Sequence, residues 1–136
     1  MTVIVCLEDR GGMLFNRRRL SRDRVLSADA VELARSGGKK LSMCSFSEKL
    51  FEEYSKHITV DEDFLDNGAE ICFVENKALA PYLQRIDRLV IYRWNRTYPF
   101  DTAIDIDVST APWRLLSREE FAGYSHEKIT KEIYVK

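Results

Sequence analysis

The chain is written in short apolar runs, and those runs sort themselves by length and spacing into strands and helices. Val3 to Leu7 (VIVCL) is continuously apolar, the pattern of a strand covered on both faces, and predicts a first strand over Met1 to Leu7. Gly11 and Gly12 mark a loop. The stretch LFNRRRLSRDR is polar, arginine-dense and weakly periodic, and predicts a loop or a loosely held helix. Ser27 suits an N-cap, with Asp29 and Glu32 in the first turns and Gly37-Gly38 as a stop, so a helix is predicted from about Ser27 to Ser36.

Lys40 to Cys44 predicts the second strand. Ser45 or Ser47 then caps a helix whose Phe46, Leu50, Phe51 and Tyr54 fall at helical spacing. ITVDEDFLDNGAE holds one short strand or turn and a polar loop. Ile71 to Val74 predicts a strand, Ala78 to Ile86 a helix with Pro81 in its first turns, and Leu89 to Trp94 another strand. Thr102 to Val108 alternates as TAIDIDV, the signature of a strand with one dry face. Trp113 to Leu116 and Ile129 to Val135 close the sheet as an antiparallel pair.

Strands alternating with helices and then strands alone predict an α/β fold. The sheet is mainly parallel, with helices on both faces and a C-terminal antiparallel hairpin. At 136 residues the chain, 1–136, forms one domain around one core. A net charge of −1 gives no general pull on nucleic acid or a membrane. The start MTVIVCLEDR lacks the basic opening and cleavage site of a signal peptide, so the cytoplasm is the expected location. The three cysteines, Cys6, Cys44 and Cys72, are an odd number lying in apolar strands and read as reduced buried thiols.

The order of elements and several strings resemble the dihydrofolate reductase family. VIVCLEDRGGM followed by LSADAVELA matches a first strand, a glycine-bearing loop and a helix start, with Ser27 where the family has proline and Asp29 where it has its active-site acid. ICFV, then Glu75-Asn76, then ALAPYLQRIDRLVIYR resembles the family's strand, Gly-Gly turn and helix. FDTAIDID resembles its GDT ribbon, and Trp113 with YSHEKITKEIYV its last hairpin. The resemblance implies a reductase-like fold with a pterin cleft at Asp29, lined by Tyr92, Phe46 and Met13. Tyr92 stands where the family places a small hydroxyl residue, and a phenol there would partly fill that cleft.

The departures fall where the family holds its cofactor. The chain is shorter between its second strand and ICFV, Phe46 stands near the family's phosphate-binding arginine, and Ser45 replaces a glycine. Glu75 and Asn76 replace the glycines that let backbone approach a diphosphate. A carboxylate at the positive end of a helix repels an anion, so no cofactor is expected and NADPH binding of the usual kind is disfavoured. Glu75 is expected to cap the helix beginning near Asn76.

Asp29 is the sharpest catalytic candidate, because Val25, Leu26 and Leu33 set it beside apolar surface. An acid in a first helical turn also simply favours the dipole. Arg17, Arg18, Arg19, Arg22 and Arg24 crowd into eight residues and could grip phosphate or RNA backbone, with Phe15 and Asn16 adjoining; a solvated basic loop or a partner surface is the plainer reading. His57 and His126 are too few for a zinc site, and no metal ligand set is assigned. Asp61, Glu62, Asp63 and Asp66 read as a charged turn.

SHEK, at Ser125 to Lys128, reads as the turn into the last hairpin, since a serine and a histidine adjacent in sequence do not make a catalytic pair. Tyr92, Trp94, Tyr98, Phe100 and Trp113 suit core packing better than a ligand cleft. The favoured function is therefore a small-molecule- or partner-binding protein that has lost NADPH-dependent reduction. Its ligand would be an unidentified small heterocycle. The alternatives are a pterin- or pyrimidine-type reductase with an altered cofactor site, or an RNA-associated protein using Arg17–Arg24. Nucleic acid and membranes are disfavoured as partners, and a homodimer could form through a sheet edge that the shortening uncovers.

Overall fold

Continuous apolar strands demand cover on both faces, and the computed structural model, which describes residues 1–136, supplies it. Seven strands form the main sheet in the order β5-β4-β6-β1-β7-β10-β9. These are β1 (Thr2–Leu7), β4 (Leu41–Met43), β5 (Ile58–Val60), β6 (Ile71–Phe73), β7 (Arg88–Arg93), β9 (Arg114–Phe121) and β10 (Ile129–Val135). The first five run parallel, while β10 is antiparallel to both β7 and β9. This is the expected α/β sheet with its antiparallel hairpin.

The two faces carry two cores. Val3, Val5, Leu7, Leu89 and Ile91 point to one, where Leu79, Ile86, Ile106 and Trp113 cover them. Ile4, Val90, Tyr92 and Trp94 point to the other, under Leu26, Ala30, Val31 and Ala34 of helix α1 (Arg24–Ser36) and under Phe51. The helical cover is uneven. The second face has a full α-helix; the first has loops, the strand residues Met13 and Leu14, and a 3₁₀ segment, Ala80–Arg85, shorter than the helix expected over Ala78 to Ile86.

Helix α1 begins three residues before the expected start. Asp23, not Ser27, is its N-cap, accepting from the amides of Val25 (2.9 Å) and Leu26 (3.4 Å). Ser27 instead lies buried inside the helix. The expected helix after Ser45 is also modified. A single turn, α2 (Ser45–Glu48), passes into a 3₁₀ segment, Lys49–His57, kinked at Phe51 and Tyr54. The kink seats Phe51 in the core, edge-on to Phe73 at 4.9 Å. Neither serine caps that turn; Glu62 reaches across to the Ser45 amide at 2.8 Å.

The arginine-rich stretch is a loop only over its second part, residues 20–23, before α1 begins at Arg24. Its first part belongs to a hairpin of β2 (Gly12–Phe15) and β3 (Arg18–Arg19) joined by Asn16-Arg17. Those two residues hold φ of 54° and 63°, the left-handed pair that a two-residue hairpin turn requires. Asn-Arg in place of Asn-Gly hides the turn from a sequence reading.

The alternating stretch Thr102 to Val108 is a strand only at β8 (Thr102–Ala103), which joins β2 and β3 in a small second sheet. Beyond it the acids leave the ribbon to do other work. Asp105 accepts from the amides of Leu79 and Ala80, capping the 3₁₀ segment, while buried Ile106 anchors the loop to the core. Asp105→Ala is expected to lower stability by about 1 kcal/mol, the usual worth of a cap. A urea titration against wild type measures it.

Candidate functional site

The parallel strands end together at their carboxyl edge, and of the candidate residues Tyr92, Glu75 and Asn76 fall there. Tyr92 near the end of β7 pairs in register with Cys6 of β1 and Lys131 of β10. The Tyr92 hydroxyl donates to Asp29 Oδ2 at 2.5 Å, and Lys131 Nζ lies 2.8 Å from the same oxygen. Asp29 projects from α1 with about a third of its side chain exposed, whereas Tyr92 is fully buried. Burial, then the Asp29 charge and its hydrogen bond, pushes the phenol far above the usual tyrosine range. Asp29 is thus already engaged by the chain's own phenol and ammonium groups. Lys131 is nearly buried, and its second carboxylate is Glu119 at 3.4 Å.

A second network sits at the end of β6. Glu75 takes Arg19 Nε at 2.9 Å and Nη2 at 3.1 Å, a two-pronged ion pair, and the Ser47 hydroxyl at 2.7 Å. The Arg19 guanidinium also donates to the Phe46 carbonyl at 2.7 Å and lies over the Phe46 ring. Glu75 therefore does not cap a helix, as its place in the sequence suggested. The nearest helical turn is capped by Asp105 instead, which frees Glu75 to fold inward toward Arg19. The Asn76 side-chain oxygen accepts from the Cys44 thiol at 3.4 Å. Cys6, half-buried between the two networks, has its thiol pushed up by burial and by the Glu75 charge, and Cys72 is pushed up to about 12 by burial.

The other candidates scatter. Met13 is a core residue of β2. Ser45 spends its hydroxyl on Glu62 at 2.5 Å. Arg24 lies over the Tyr124 ring, while Arg17, Arg18 and Arg22 stay exposed around a cavity of about 500 Å³ that Arg19, Ser21 and Phe46 also line. In the acidic turn, Asp61 holds Asn67, Glu62 holds Ser45, and Asp66 accepts from Tyr82. Trp94 and Trp113 are core residues.

Two buried acids that were not candidates in the sequence, Glu8 and Asp23, matter, as does His126, which was weighed there only as a zinc ligand and as part of SHEK. Glu8 is fully buried and accepts from the amides of Arg10, Gly12 and Tyr98; burial raises its pKa, but those bonds outweigh it and hold the acid below the usual range. Asp23 and His126, 103 residues apart, meet at 2.9 Å through Nδ1. Asp23 was legible as a capping residue type. The partnership with His126 was not, because only the return of the turn between β9 and β10 to the start of α1 creates it.

No protein-family model and no curated protein sequence matches the chain. Among solved structures, it is similar to a dihydrofolate reductase from Enterococcus faecalis in complex with NADP(H) and RAB-propyl. The TM-score is 0.62, with 11% sequence identity, 98% of this chain and 94% of that one being covered. At that identity the likeness defines the fold, and the chain has a dihydrofolate-reductase-like fold. No helix is long and apolar enough to cross a membrane.

Proposed function

We propose that this chain is a small-molecule- or partner-binding protein on a dihydrofolate-reductase-like fold, without the standard NADPH-dependent reductase reaction. The observation that carries this reading is the Glu75 network. A side chain stands where the resembled family needs glycine, and it is a carboxylate gripped by Arg19 and Ser47. A diphosphate approaching that turn meets a blocked backbone and a guanidinium already taken by a carboxylate. Support also comes from Tyr92, whose ring and hydroxyl occupy the space beside Asp29. The ligand of such a protein would be recognised without hydride transfer. A cytoplasmic location belongs to the same reading, with three unpaired thiols as its support.

Titrating the protein with NADPH, followed by quenching of Trp94 and Trp113 and by nicotinamide emission, tests the reading. No saturable signal is expected across the micromolar range. Micromolar binding together with oxidation of NADPH in the presence of a dihydropterin or dihydropyrimidine would overturn it.

A further inference from the structure

The chain's second histidine closes a relay that belongs to neither network above. Ser21 Oγ lies 2.8 Å from His126 Nε2, and His126 Nδ1 lies 2.9 Å from Asp23 Oδ2. We propose that Ser21 is the nucleophile of a hydrolytic site for anionic esters, with His126 as its general base and Asp23 holding that base in place. The proposal is independent of the reductase question, and its readouts involve neither nicotinamide nor pterin.

The hydrogen-bond order follows from the partners. Asp23 already accepts from the amides of Val25, Leu26, Tyr124 and Ser125 and from the Ser125 hydroxyl, as an ionised acid does, so its contact with His126 is with a donor. That assigns a hydrogen to Nδ1, and in the neutral imidazole the Nε2 lone pair then faces the Ser21 hydroxyl. The imidazole cannot turn away, because it is buried and stacked on Trp94 at 4.6 Å and 30°. Nucleophile, base and orienting acid therefore stand in the relation that activates a serine. Capping α1 requires Asp23 alone. It does not call for a hydroxyl on the far nitrogen of His126.

Ser21 is half-exposed, and the cavity of about 500 Å³ it lines is the one ringed by Arg17, Arg18, Arg19 and Arg22, with Phe46 as an apolar wall. Of the guanidinium groups around this cavity, Arg19 is the one held by a carboxylate. The chemistry that fits is an ester whose acyl group carries a carboxylate or phosphate. Arginine forks would bind that anion and meet the oxyanion of the intermediate.

The reaction balances as an ordinary hydrolysis. The Ser21 oxygen bonds to the acyl carbon while its proton passes to His126 Nε2. Collapse of the intermediate breaks the bond to the leaving alcohol, which takes that proton. Water then adds to the acyl-serine, gives its proton to His126, and Ser21 departs with it, releasing the acid.

A fluorophosphonate probe, with labelled peptides mapped by mass spectrometry, tests the nucleophile without knowledge of the natural ester. Label is expected on Ser21 and absent in Ser21→Ala, a change at a half-exposed loop residue whose fold is checked by circular dichroism. Mono-p-nitrophenyl succinate should be hydrolysed faster than p-nitrophenyl acetate, with a loss of at least about 100-fold in Ser21→Ala and in His126→Gln. A folded wild-type protein left unlabelled at Ser21, or a Ser21→Ala variant hydrolysing at the wild-type rate, would overturn the proposal.

Discussion

Replacing Asp23 by alanine is expected to lower the stability of the fold by about 3–5 kcal/mol, measured by urea unfolding at neutral pH. Loss of a helix N-cap costs about 1 kcal/mol by itself. The rest comes from what the carboxylate holds besides α1. The Tyr124 amide (3.0 Å), the Ser125 amide (2.9 Å) and His126 Nδ1 (2.9 Å) all end on it, and its side chain is wholly buried. Each partly buried donor left without an acceptor adds about 1–3 kcal/mol. The same carboxylate ties the β9–β10 turn to the start of α1, so its loss should release both. A variant within about 1 kcal/mol of wild type would mean that water replaces the carboxylate and that the network is not structural.

Acid dependence gives the same residue a second signature. Burial raises the Asp23 pKa, but the bonds from Tyr124, His126, Ser125 and Val25 outweigh it and hold the acid well below the usual carboxylate range. A folded pKa below the unfolded one contributes stability that is complete above the unfolded value, about 3.9. That contribution is lost as pH falls through that value toward the folded one. Between about pH 5 and pH 2, wild type should therefore lose stability faster than Asp23→Ala. The dependence in the variant is reduced and not abolished, because Glu8, Asp61, Glu62 and Asp107 are also held low by their hydrogen bonds.

What could be read from the sequence follows a physical line. Apolar runs such as VIVCL and ICFV declare themselves locally, since a residue buried on either face of a sheet must be apolar whatever lies beside it. β1, β6, β7 and β10 fall within a residue or so of their expected spans. Polar segments are harder to read, because a polar side chain takes whatever partner the fold supplies, near or far in sequence. Asp105 and Asp107 looked like the wet face of a strand, yet one caps a turn at Leu79 and the other closes its own loop at Ser109. Glu75 looked like a local cap and is instead drawn to Arg19, 56 residues away. The lack of glycine at Glu75-Asn76 was legible because a missing glycine is a local fact. The Ser21–His126–Asp23 relay was not, because no spacing rule brings together residues 103 and 105 positions apart.

Tyr92 is where fold and function separate most cleanly by experiment. If its ring is a plug in the cleft, Tyr92→Ala should cost about 3–5 kcal/mol, the usual loss for a large aromatic removed from a core. Tyr92→Phe should cost only about 1 kcal/mol, because Asp29 keeps Lys131 at 2.8 Å and is open to water on its exposed side. The ring is fully buried and packs edge-on to Phe121 at 6.3 Å, so its removal leaves a hole that the rigid strands β1, β7 and β10 cannot close. Free phenol has the shape and the hydroxyl to occupy that hole beside Asp29. Millimolar phenol should raise the urea midpoint of Tyr92→Ala, by mass action on the folded state, and leave wild type unmoved. If Tyr92→Phe loses as much as Tyr92→Ala, the hydroxyl and not the ring holds the site. The plug account then fails, and with it the argument that this cleft was closed by filling.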